Sequence, residues 1–166
     1  MNAKTTQRGR PARRLAGGWI VHSARTAVAA ALSLGTARLI RMPQAYWAAI
    51  TAMIVMQSTL GAAWTVSKQR FVGTAVGAAA GGLLASFGMP GIPEFGAAIF
   101  VLGIACAVLR MDRTAYRFAA IAFSIVTLVA TPAGPVVVAF HRFVEVSIGI
   151  GVALVLTAVW PGPELP

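Results

Sequence analysis

Six long apolar stretches, broken only by short polar or Pro/Gly-marked segments, fill almost all of this chain. That pattern leaves little room for a soluble fold, because a helix in water needs a polar face at a 3.6-residue period. The stretch from Ala115 to Pro132 has only Arg117 and a few hydroxyls to offer one. Charged residues make up 11% of the chain, against about 25% in an ordinary soluble domain. The expected fold is therefore all-α and polytopic, a bundle of helices solvated by lipid. Much of the apolar content is Ala and Gly, so an Ala-rich soluble bundle is the alternative.

The expected spans run from Trp19 to Ile40, Gln44 to Gly61, Arg70 to Gly88, Glu94 to Leu109, Ala115 to Thr131 and Ala139 to Trp160. Each is near the roughly 17–25 residues that cross a bilayer. Arg41-Met42-Pro43 ends the first, and Pro43 suits a first helical turn. Ser67 is positioned to cap the third helix and Asp112 the fifth. The runs 88–93 and 132–135, rich in Gly and Pro, cannot continue a helix. Residues 1–18 form a basic tail carrying Lys4, Arg8, Arg10, Arg13 and Arg14, expected to be disordered and cytoplasmic. A signal peptide competes with that reading, but the following run is long and contains Arg25. Residues 19–161 then form the transmembrane domain, and 162–166 a short tail.

The formal net charge of +10 would suggest nucleic acid in a soluble protein. Here the basic residues gather at the ends of apolar runs, where they set topology. With the N-terminus inside, Lys4, Arg8, Arg10, Arg13, Arg14, Lys68, Arg70, Arg110, Arg113 and Arg117 are cytoplasmic. Arg38, Arg41 and Arg142 are outside. That asymmetry places both termini in the cytoplasm of a multi-pass protein of the inner or plasma membrane. Nucleic acid is rejected as a partner, and membrane lipids are expected.

An internal repeat is visible. Ala45-Tyr46-Trp47-Ala48-Ala49 matches Ala115-Tyr116-Arg117-Phe118-Ala119. Arg70-Phe71-Val72 with Gly77 matches Arg142-Phe143-Val144 with Gly149. Three helices per unit is an odd number, so the second unit enters from the opposite side. That makes a 3+3 inverted repeat, the arrangement transporters use to place a site near the midplane.

Pro43-Gln44-Ala45-Tyr46-Trp47-Ala48-Ala49-Ile50-Thr51, then Met56-Gln57-Ser58, then Gln69-Arg70-Phe71-Val72-Gly73-Thr74 up to Gly77, resemble the fusaric-acid-resistance-like (FUSC) family. That family stands with the aromatic acid exporters and the integral membrane bound transporter domains. Arg142-Phe143, Gly149 and Trp160-Pro161 add to the resemblance, which covers about residues 20–161. It implies secondary efflux of organic anions, notably aromatic carboxylates. A more distant likeness is to plant aluminium-activated malate transporters, which are dimeric anion channels. Larger exporters of the family often carry two six-helix blocks and a soluble domain. One block here implies a homodimer or a homologous partner chain. The alternative function is a non-transporting scaffold or accessory subunit.

The candidate substrate-binding residues are Arg25, Arg70, Arg142, Tyr46, Trp47, Thr51 and Gln57. Arg25 lies about two turns into the first span, where burial costs about 2.5–3.5 kcal/mol on insertion scales unless an anion offsets it. Snorkelling to the interface beside Trp19 is its other reading. Arg70 and Arg142 hold equivalent places in the two units and are expected on opposite sides of the membrane, as two mouths. Guanidinium forks suit carboxylates, yet helix-end Arg also serves as a lipid anchor, as do Arg38, Arg110 and Arg113. Tyr46 and Trp47 suit either an aromatic belt or a stacking surface. Thr51 and Ser58 share a helix face. Gly73, Gly77 and Gly81 form a packing stripe. His141 and Glu145 stand one turn apart, as a proton-coupling pair or an interfacial charge cluster. A lone Cys106, two distant histidines and no nucleophile or phosphate-loop motif point to no enzyme, no metal and no cofactor.

Overall fold

The computed structural model describes residues 9–57, 59–129 and 132–162. Among these the chain forms six α-helices and no strand: α1 Gly9–Leu39, α2 Tyr46–Val55, α3 Leu60–Ala85, α4 Ile92–Val108, α5 Arg113–Leu128 and α6 Pro135–Val159. The all-α expectation holds. The helix bounds depart from the expected spans in ways that matter for the site.

α3 begins ten residues before Arg70, because Thr59 is extended and its hydroxyl accepts from the Ala62 amide at 3.3 Å. That is an ordinary N-cap. Ser67, expected to be the cap, is buried in mid-helix instead. Asp112 does hold the N-cap position of α5, but its carboxylate makes no capping bond and accepts from Gln69 Nε2 at 3.1 Å. α6 begins at Pro135, which needs no amide partner in a first turn, straight after Gly134 at φ 82°. α1 is already helical from Gly9, so Arg10, Arg13 and Arg14 stand on it rather than in a disordered tail. Residues 1–8 lie outside the described residues.

α1 and α4 end alike. Arg41 and Arg110 adopt positive φ, 57° and 54°. Met42 N donates to Ala37 O, and Met111 N donates to Cys106 O, each at 2.9 Å. These six-to-one bonds close Schellman-type caps. Each Arg-Met pair stands just ahead of the next helix, α2 or α5.

α3 packs mainly on α5 and α6, and α6 also on α2. Backbones meet directly along these seams. Gly73 faces the Ala115 carbonyl, Gly77 the backbone of Ala119, and Gly81 the backbone of Phe123. Both series step by four, so one helical row lies along another. Gly149 of α6 sits in the same way against Ala48 and Thr51 of α2. The packing stripe expected on the third helix is thus a backbone-to-backbone seam.

The distribution of side chains is inside out by the standards of a soluble protein. Alanines 29, 48, 52, 63, 119 and 153 are fully buried, with Arg25, Thr51 and Ser33. Leu83, Phe87, Ile92, Phe100, Phe140 and Val159 are exposed. Small residues inside and large apolar ones outside suit a lipid surround.

Six full spans, however, are not what the helix lengths provide. By length and composition α6 alone among the described helices is suited to crossing a membrane. α2 and α4 are apolar but have 10 and 17 residues, and α5 has 16. At 1.5 Å per residue α2 reaches about 15 Å, half of a ~30 Å hydrocarbon core. α2 stops because Met56 turns to ψ 109° and the chain re-enters a helix at Leu60.

A Cβ at Gly77 would collide with the Ala119 backbone, which cannot swing aside as a side chain can. Gly77→Ala is expected to lose about 1–3 kcal/mol of stability by overpacking. Gly151→Ala, with nothing within 4 Å, is expected to be neutral. Thermal unfolding of both variants in detergent checks the contrast.

Candidate functional site

α2 is short, apolar and lined along one side by arginines from three other helices. Arg142 of α6 lies over the Trp47 ring, with Cζ 3.4 Å from the centroid. Arg70 of α3 donates from Nε and Nη2 to Thr51 Oγ1 at 3.1 and 3.0 Å. Its other face meets the Phe118 ring of α5 at 4.8 Å. Arg25 of α1 donates from Nη2 to the Gln57 carbonyl at 3.4 Å, just past the end of α2. Trp47 and Thr51 are one turn apart, about 6 Å, and Gln57 lies two residues beyond the end of α2. The three arginines thus form a ladder along α2.

All three are buried: Arg25 is 0% exposed, Arg70 and Arg142 3% each. Glu145, 1% exposed, is the one acid among the buried residues described. Three positive charges against one negative leave two uncompensated. The guanidinium donors are also underused. Nε and Nη1 of both Arg25 and Arg142 meet no hydrogen-bond acceptor. Buried donors without partners are costly, and in a native fold they call for a ligand or water.

Glu145 sits three residues after Arg142, on the same helix face. Its Oε1 nevertheless accepts from the Gln44 amide at 2.9 Å. Gln44 also holds Trp47, whose Nε1 donates to Gln44 Oε1 at 3.1 Å. One residue therefore fixes both the carboxylate and the ring beside Arg142. A cavity of about 160 Å³ opens here, lined by Pro43, Gln44, Ala133, Val138, His141, Arg142 and Glu145.

Of the residues expected from sequence, Arg25, Arg70, Arg142, Trp47, Thr51 and Gln57 come together. Tyr46 does not: it is 51% exposed and tilts against Trp47 at 5.4 Å. Ser58 lies outside the described residues. Arg25 points inward to Gln57 and does not snorkel. Arg70 and Arg142 do not stand at opposite mouths. The rings of their neighbours Phe71 and Phe143 are 4.9 Å apart, so the two arginines flank one level of the bundle. The reason is helix length. α3 and α6 start well before the expected positions, so each arginine lies about two to three turns inside its helix. Gln44 and Phe118 were missed. Phe118 lies beside the matched Ala-Tyr landmark of α5, one position beyond the counterpart of Trp47, and that register was its only signal.

Residues 26–156 match the family model described as fusaric acid resistance protein-like. The chain is also similar to the inner membrane protein YeeA of Escherichia coli (strain K12), with 26% identity over 148 residues. That match takes in 86% of this chain and 41% of YeeA, so the chain spans about two fifths of that relative's length. No solved structure matches the chain.

Thr51→Val keeps the shape of the side chain but removes the acceptor of both Arg70 bonds. Hydrogen bonds to a charged group are worth about 1.5–3 kcal/mol. A loss in that range is expected in detergent unfolding, with Thr51→Ser near wild type.

Proposed function

Because the chain belongs to the fusaric acid resistance protein-like family of membrane proteins, we propose that it carries organic anions, aromatic carboxylates among them, out of the cell. The path runs beside Arg142, Arg70 and Arg25. One observation carries this reading: three buried guanidinium groups share a single buried carboxylate, and two of them keep unpartnered donors. A passing anion supplies the missing charge and the missing acceptors. Arg142 and Arg70 are held about one helical turn apart, so a carboxylate gains the second as it leaves the first. The Trp47 and Phe118 rings beside them offer apolar faces to an aromatic stem.

The mechanism is secondary transport, not enzymatic catalysis, and no cofactor is involved. The two halves, α1–α3 and α4–α6, act as an inverted repeat. Supporting this are the paired Arg-Met caps after α1 and α4, and the crossed packing of α3 on α5 and α6 on α2. Short α2 and α5 are the broken helices that such folds use to place backbone ends near the midplane. Both termini are cytoplasmic. A second six-helix block, from another copy or a homologous chain, completes the transporter.

Proteoliposome efflux of benzoate tests the reading. Arg142→Gln and Arg25→Gln are expected to lower flux tenfold or more, while Lys68→Gln, on the exposed face, leaves it unchanged. Normal flux in both arginine variants sinks the anion path. No flux from well-folded wild type supports a scaffold or accessory subunit. Fused at the C-terminus, green fluorescent protein is expected to glow and alkaline phosphatase to be inactive. The reverse overturns the topology.

A further inference from the structure

The cavity beside Arg142 contains a carboxylate of the protein's own, and that carboxylate makes no hydrogen bond to the arginine. Glu145 is held by the Gln44 amide, while Nε and Nη1 of Arg142 stay without an acceptor. The cavity, about 160 Å³, holds roughly five waters at ~30 Å³ each. That suits a carboxylate headgroup with a short stem, not the drug-sized ligands of ~300–1,000 Å³ pockets.

We propose that Glu145 is a proton site coupled to this cavity, taking up one proton when a carboxylate binds to Arg142. The inference rests on the anion path above and adds the proton that balances the bound anion's charge. An incoming carboxylate brings a second negative charge into a site where Glu145 already sits. Two carboxylates in one small, largely buried space cannot both stay ionised easily. Glu145 then accepts a proton from solution on a carboxylate oxygen. One anion and one proton enter together, so the charge of the site is conserved. By linkage the reverse holds, and acid tightens carboxylate binding.

The groups around Glu145 decide whether another could take the proton. On α6 itself, His141 lines the same cavity and Arg142 is one turn away. α3 contributes the Arg70 charge, and α2 contributes Tyr46, whose ring leans on the Trp47 ring under Arg142. α1 brings Arg25 only to the far end of α2. The buried face of α5 has no titratable side chain. Arginine and tyrosine ordinarily titrate far above neutral pH and histidine near it, so His141 is the one rival.

Titration calorimetry of benzoate into the purified full chain in nanodiscs, in two buffers of different ionisation enthalpy, counts the protons taken up. Wild type and His141→Gln are expected to take up about one proton per benzoate between ~pH 6 and ~pH 8, and Glu145→Gln about none. Affinity should tighten up to about tenfold per pH unit in the first two and stay flat in the third. Uptake that persists in Glu145→Gln, or vanishes in His141→Gln, overturns the assignment. Arg142-dependent binding without any uptake in wild type overturns this inference and leaves the anion path standing. Absence of both benzoate binding and flux in wild type overturns both.

Discussion

Everything in this bundle is arranged around positive charge that lacks a full complement of negative charge. Arg25, Arg70 and Arg142 are buried beside α2 with Glu145 as their one buried acidic companion among the described residues. In a low-dielectric surround, charges are costly and their interactions are strong. The protein offsets part of the cost with aromatic faces and the Thr51 hydroxyl. It does not close the account with a carboxylate on every arginine. What remains is an excess of buried positive charge, held in place by the fold.

That arrangement requires helices to come very close. Guanidinium groups from α1, α3 and α6 can all reach α2 because its neighbours press against it and one another without intervening side chains. Gly149 allows α6 to touch Ala48 and Thr51, and Gly73, Gly77 and Gly81 allow α3 to touch α5. Lipid provides little hydrophobic drive between helices, so close van der Waals contact along small residues is the main cohesive force. The large apolar side chains are left for the outer surface, where lipid solvates them.

Much of this was legible in the residues. The all-α class and the small-residue seam on α3 followed from composition and spacing. Six of the seven expected site residues gather on α2, since charged and polar residues in apolar runs have few other places to go. Tyr46 suits either a belt or a stacking surface by sequence, because a ring at a helix start faces either way, and its exposure accords with the belt. Arg70 was misread as a helix-end residue. The expected second span ends at Gly61 and the third opens only at Arg70, whereas the run from Leu60 onward belongs to one helix capped by Thr59. Glu145 was seen as half of a pair with His141, but its real partner is the backbone of Gln44, 101 residues away in sequence.

The amino-acid sequence by itself determined the solvent, the secondary structure class and the stock of charges, because these depend on composition and on local period. Tertiary structure decided where the charges meet. Arg70 and Arg142 are far apart in the chain, and the sequence pattern assigned them to separate mouths. Packing of α3 across α6 brings their neighbouring rings to 4.9 Å, since helix crossing depends on which surfaces can approach closely. Such long-range contacts carry no local signature, and they turn scattered helix-borne arginines into one ladder.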